Sequence, residues 1–249
     1  MNNFLSCDIQ TPVDPRASYE AATQERKSNS PQSKSNRPTL SIGAHTKYWA
    51  TGRTLKIAIN RWDDDLFNTV KNSINQWAPY VNLNFEFVDL SDNDELFEGD
   101  IRIDLSPFYN KVAFSRIGTD ALTTPANEVT MGLGINSTDE NYSAVVIHEF
   151  GHALGRLHEH QHPDADIPWD REKVYEALQR NHGMSRATVD ATLFPLPRDN
   201  SATYAPYDRH SVMHYQVTND ATLGDWEQLQ NKHLSEGDIA FARRAYPST

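Results

Sequence analysis

The 249-residue chain has a single cysteine, Cys7, so no disulfide can close within it. That absence suits a reducing compartment, yet bacterial secreted enzymes of this size also do without disulfides. No apolar stretch approaches the roughly 20 residues needed to span a bilayer, so a soluble protein without a membrane segment is expected. The N-terminus lacks a basic stretch followed by an apolar one, so no Sec-type signal peptide is expected either. Positive charge is scarce. The 23 Lys and Arg residues against 34 Asp and Glu leave a net charge of -11, which argues against a nucleic-acid partner. Apolar residues make up only 38% of the chain, so part of it is expected to lie outside the core.

That part is readily located. Residues from about Thr11 to Pro38 are rich in Ser, Asn, Gln, Pro and charge and nearly devoid of large apolar side chains. Such a segment buries too little surface to offset its ordering entropy. Residues 1–39 therefore read as a flexible tail or pro-segment, and residues 40–249 as one folded domain. Within that domain Leu55, Ile57 and Ile59 alternate with Lys56 and Ala58 as in a strand. Asp63, Asp64 and Asp65 mark a helix start, followed by Leu66, Val70, Ile74 and Trp77 at helical spacing. Alternation returns at Val81–Phe87, at Ile101–Leu105 and at Val129–Leu133, and the strand Val129–Gly134 is expected to be an exposed sheet edge. Beyond His158 the prolines 163, 168, 195, 197 and 206 break the chain into loops around a helix near Arg171–Arg180. A closing helix is entered at Ser235, with Glu236 and Asp238 in its first turn.

The chemistry is concentrated in His148-Glu149-Phe150-Gly151-His152-Ala153-Leu154-Gly155-Arg156-Leu157-His158. A helix projects residues four apart from one face, so His148 and His152 point together toward one ion. Two neutral imidazoles suit a tetrahedral zinc, and Glu149 can reach a zinc-bound water as general base. A bare pair of this kind also arises by chance on ordinary helices. The extension is more specific: Gly155 permits the turn that ends the helix and swings His158 onto the metal, leaving one position open for water and substrate.

This run is the signature of the metzincin metallopeptidases, and Ser211-Val212-Met213-His214-Tyr215 resembles the Met-turn of their astacin-like branch. Glu159, directly after the third histidine, fits the same branch, as do stretches 115–121, 148–175 and 234–247. The resemblance implies an α+β fold: a metzincin-like two-lobe catalytic domain. Its upper lobe, about 40–155, would be a twisted mixed sheet with two helices, and its lower lobe, about 156–249, loop-rich with a C-terminal helix. It further implies that Met213 underlies the histidines and that Tyr215 is a displaceable fifth zinc ligand and oxyanion stabiliser. Glu159 would tie to the mature N-terminus. The expected ligands are thus His148, His152, His158 and Tyr215 around one catalytic Zn2+, with Glu149 and Tyr215 catalytic. The expected activity is hydrolysis of internal bonds of a protein or peptide substrate by a monomer. The family leaves open an export route other than Sec.

Several features keep two readings. Phe97-Glu98-Gly99-Asp100 has the letters of an astacin-type inhibitory motif but opens a strand within the domain, so it reads as a chance match. The acidic run 92–100 lacks calcium-loop spacing and reads as a solvated turn. Cys7 reads most simply as a free thiol in a tail; alternatively its thiolate could enter the open zinc position as a latency switch. The rivals to a peptidase are another zinc hydrolase, a zinc-dependent binding protein, and a structural zinc site, which four protein ligands would close.

Overall fold

The computed structural model of the chain describes residues 7–30, 47–60, 64–90, 98–106, 112–198 and 205–248. The expected domain start near Leu40, the helix-start Asp63 and the acidic run 92–97 lie outside these residues. A six-stranded mixed sheet carries the upper lobe: β1 (Cys7–Gln10), β2 (Thr54–Asn60), β3 (Asn84–Leu90), β4 (Ile101–Asp104), β5 (Ala113–Arg116) and β6 (Met131–Gly132). They lie in the order β1-β5-β6-β4-β2-β3, with only the β5–β6 pair antiparallel.

Two helices pack on the sheet, α2 (Asp64–Ile74) and α3 (Tyr142–Ala153), the latter holding the His-Glu-x-x-His run. Leu55, Ile57, Ile59, Val70, Ile74, Trp77, Ile103, Val146, Ile147 and Phe150 form one fully or almost fully buried core between them. Burying each such side chain contributes roughly 1.5–3 kcal/mol, which is why the alternation at β2 and the helical spacing at α2 both point inward. The end of α3 lies inside the protein, so its carbonyls need partners. Trp49 Nε1 donates to Ala153 O (2.8 Å) and the Tyr246 hydroxyl to Leu154 O (2.9 Å), while Trp77 Nε1 donates to Ile147 O (3.0 Å).

The lower lobe holds α4 (Arg171–His182), α5 (Arg186–Thr192) and α6 (Glu236–Ala245) among long loops. A second, smaller core of Ile167, Trp169, Val174, Leu178, Phe194 and Val217 supports it, and Cys7 and Tyr215 belong to that cluster. The closing helix starts as its sequence indicates: Ser235 and Asp238 form a reciprocal capping box. This is the α+β, two-lobe arrangement that the resemblance implies.

Two expectations change. Residues 7–30 are not a flexible tail; they form an arm folded onto the rest of the chain. After β1 comes α1 (Pro15–Glu25), capped by Asp14. The arm has little apolar surface, but it is held by other means. Backbone pairing joins β1 to β5, small or polar residues (Ser18, Ala22, Asn29) are buried, and side chains bond main-chain atoms of the body. Asn29 Nδ2 donates to Tyr48 O (2.8 Å) while Tyr48 N donates to Asn29 Oδ1 (3.2 Å), and Arg26 Nη1 donates to Ala245 O (2.8 Å). The second correction concerns the stretch 129–134. β6 lies between β4 and β5 instead of at an edge, and the ring of Phe114 fills the space beside Gly132. At this end of the sheet the outermost strand of the domain is β5, and β1 covers its edge.

Candidate metal centre

Helix α3 is buried on nearly every side, consistent with its run of apolar residues ahead of the histidines. It presents His148 and His152 one turn apart. Gly155, at φ 92°, then reverses the chain in a conformation that a side chain would strain, and this brings His158 back. The three rings converge. His152 Nε2 lies 3.2 Å from His148 Nε2 and 3.0 Å from His158 Nε2.

That spacing suits a metal. A tetrahedral zinc with Zn–N bonds of ~2.0–2.1 Å sets its nitrogens about 3.3 Å apart. The opposite ring nitrogens fix the tautomers: His148 Nδ1 donates to Val212 O (2.8 Å) and His152 Nδ1 to Arg156 O (2.7 Å). In a neutral ring this leaves Nε2 as a bare lone pair. Burial holds all three imidazoles neutral, pushing His148 down to about 4 and His152 and His158 well below the ordinary histidine range. Two lone pairs so fixed, with the His158 ring nitrogen 3.0 Å from one of them in the same buried cluster, make a donor set that fits one zinc ion.

Glu149 is fully buried beside this cluster, and its carboxylate neighbours the Cys7 thiol. Burial raises its pKa to about 8, opposed in part by the neighbouring Cys7 thiol. A carboxyl poised there can take up or release a proton near neutrality.

Cys7 completes the cluster. Its sulfur and one ring nitrogen from each of His148, His152 and His158 all lie within 4.8 Å of one another, and all four residues are buried. The free-thiol-in-a-tail reading therefore does not describe this residue. Tyr215 packs against His158 (ring centroids 4.3 Å apart) and donates its hydroxyl to Cys7 O at 2.8 Å. Only about 10 Å³ of space remains among Cys7, His148, Glu149 and Tyr215, room for one water at most.

The structure thus brings His148, Glu149, His152, His158 and Tyr215 to one point, with Met213 beneath them. The Met213 sulfur lies against Gly151 so closely that a Cβ there would collide with it. Two contributors have weaker sequence signals. Asp238, read only as a helix-start acid, accepts from Val212 N (2.8 Å) and Ser211 Oγ (2.7 Å) and so holds the Met-turn. His160, two residues past the third histidine and without a motif of its own, is buried and stacks on Tyr215 with ring centroids 4.1 Å apart.

The comparisons with known proteins agree with this geometry. Myroilysin has a solved structure that overlays 83% of this chain and 98% of its own, with 31% identity and a TM-score of 0.71. The hatching enzyme HCE-1 of the medaka Oryzias latipes, a zinc protease, shares the fold at 19% identity and a TM-score of 0.55, over 85% of this chain and all of its own. The zinc metalloproteinase nas-39 of Caenorhabditis elegans is 27% identical over 115 residues, which are 41% of this chain and 12% of that protein. The chain spans well under two thirds of the length of the curated relatives it matches. Residues 42–246 match the model of Astacin, a peptidase family. That match takes in the three histidines, the Met-turn and the closing helix while leaving out the arm with Cys7, and by it the chain belongs to the astacin family of zinc metallopeptidases.

Proposed function

We propose that this chain is a zinc-dependent endopeptidase that its own N-terminal arm holds latent. The observation that carries the reading is the convergence of three imidazole Nε2 atoms, those of His148 and His158 lying 3.2 and 3.0 Å from that of His152, beside a buried carboxyl that no metal site requires for binding alone. His148, His152 and His158 hold the ion. When bound, zinc supplies Lewis acidity, which lowers the pKa of a ligated water toward about 7 and draws charge from a carbonyl.

The chain's own groups do the rest. Glu149 takes the proton of the attacking water and passes it to the departing amine, so it ends the cycle as it began. The Tyr215 hydroxyl, once released from Cys7 O, donates to the oxyanion that develops at the scissile carbonyl. Freed of β1, the edge of β5 offers main-chain hydrogen bonds to an extended segment of a protein substrate. His148 Nδ1–H and Val212 O keep the first ligand ring in place throughout.

In the arm-docked form the Cys7 sulfur lies with the three ring nitrogens, within 4.8 Å of them, and would serve as a fourth donor to the ion. A donor set of three imidazoles and one thiolate would leave no position for water or substrate. A purely structural zinc site is the second reading, because a closed four-donor set is its hallmark. Two facts weigh against it: the fourth donor comes from outside the family match, and a structural site has no use for Glu149.

The purified chain, before and after limited proteolysis of the arm, should be incubated with a random peptide mixture, with and without a chelator. Internal cleavage that appears after arm removal, vanishes with chelator and returns with zinc is the expected result. Zinc loss on arm removal without any cleavage would instead establish the structural site.

A further inference from the structure

Arg156 lies between the second and third histidines, and it is one of the largest fully buried side chains among the described residues. A buried guanidinium is costly unless it is paired. Its Nη1 meets Asp238 and its Nη2 meets Glu159 at 3.1 Å, and both carboxylates are buried as well. The face of Phe241 lies 4.9 Å from its central carbon.

The carboxylate partners of this guanidinium lead to the segments around His148 and His158, and the main chain of Arg156 itself holds His152. Asp238 accepts from Val212 N (2.8 Å), and Val212 O accepts from His148 Nδ1. Arg156 O accepts from His152 Nδ1 at 2.7 Å. Glu159 follows His158 in the chain, and its amide donates to Met213 O at 2.9 Å. Its Oε1 accepts from Asp208 N at 3.1 Å. One planar cation thus joins three segments at a single point: the turn carrying His158, the Met-turn and the start of α6. Lysine could supply the charge but not two forked pairs at once.

We infer that Arg156 is a positioning residue for the metal centre: through Asp238 it fixes the Met-turn carbonyl that orients His148, and through Glu159 it fixes the turn that carries His158. This rests on the reading of those histidines as zinc ligands. A site of this kind loses about 10–100-fold in metal affinity when an outer partner is removed. The guanidinium is also within reach from outside. Arg156 and Glu159 line a cavity of about 670 Å³ together with Tyr207, Asp208, Ser235 and Gly237. A small guanidinium compound can therefore enter where the side chain has been cut away.

The test uses the full chain carrying Cys7→Ala, so that only the histidines report. Zinc affinity by chelator competition, the visible spectrum of the cobalt-substituted protein and Tm are measured for Arg156→Lys and Arg156→Ala. Both variants are expected to bind zinc about tenfold or more weakly than the Arg156 parent, with altered cobalt ligand-field bands. Ethylguanidinium should restore affinity and spectrum in Arg156→Ala, whereas ethylammonium should not. If Arg156→Ala fails to fold, Arg156→Lys decides alone. Parental zinc affinity and an unchanged cobalt spectrum in Arg156→Lys would overturn the inference. A parent that bound no zinc would instead overturn the zinc-site reading beneath it.

Discussion

The Tyr215 hydroxyl donates to the backbone carbonyl of Cys7 at 2.8 Å, while the Cys7 side chain reaches the three histidines. One residue of the arm thus engages two groups proposed for catalysis, the tyrosine through its main chain and the metal site through its sulfur. The two holds are separable by mutation, because replacing the side chain leaves the carbonyl in place.

Cys7→Ala in the full chain should therefore raise peptide hydrolysis, but not to the level of the arm-free enzyme. At least a tenfold rise over the parent is expected, about 1.4 kcal/mol of lost hold. In the cobalt-substituted protein the sulfur-to-metal charge-transfer band should disappear with the same substitution. Equal activity in parent and variant would remove Cys7 from the latency mechanism.

Glu149→Gln should keep one zinc per chain while hydrolysis falls by about 10²–10⁴-fold. The same variant tests the buried carboxyl by stability. In the chelator-treated full chain Glu149 holds its proton up to about pH 8, whereas an unfolded glutamic acid loses it near 4.5. Between these values the native state binds more protons than the unfolded one, so stability falls as pH rises. Glu149→Gln removes that loss, so its Tm relative to the parent should rise between pH 4.5 and 8, by roughly 10 °C or more at about 2–4 °C per kcal/mol for this size. A Tm difference that does not grow from pH 4.5 to 8 would contradict the raised pKa.

Tyr215→Phe deletes one donor and retains the ring that packs on His158 and His160. Turnover of the arm-free enzyme should fall by about 10²–10³-fold with zinc content nearly unchanged, as for the loss of an oxyanion donor. A large loss of zinc with proportionate loss of rate would make the tyrosine chiefly a ligand.

Gly151→Ala places a methyl group against the Met213 sulfur and close to the Trp77 ring, at 3.3 Å. The Met-turn must shift under the metal helix, at a cost of about 1–3 kcal/mol. Differential scanning calorimetry should show a lower Tm, and Gly151→Ala/Met213→Ala should recover part of it. An unchanged Tm in the single variant would mean that the packing under the helix is loose.

The metal centre is legible in the sequence because its chemistry lies in local spacing: four residues along a helix, then a glycine turn. The closing helix is legible from Ser235 and Asp238 for the same reason. Strand β5 escapes such a reading because Ala113-Phe114-Ser115-Arg116 is buried on both faces without apolar alternation. The arm is misjudged because its order comes from the surface it lies on. Asn29 and Arg26 look like solvent-facing residues until Tyr48 and Ala245 supply main-chain partners far along the chain. Hydrophobic periodicity has no means of reporting a docking held by side-chain to main-chain bonds.

The hinge Thr11–Asp14 joins β1 to the anchored helix α1, and its Val13 side chain is 92% exposed. While that joint is intact, Cys7 is confined beside the metal at an effective concentration on the order of millimolar, whatever the concentration of the protein. Latency should therefore be indifferent to dilution. Once the joint is cut, the segment carrying Cys7 becomes a separate molecule whose occupancy depends on its own affinity and on the volume it can escape into. A single cleavage would thus convert an equilibrium that always favours the closed form into one that dilution alone drives open.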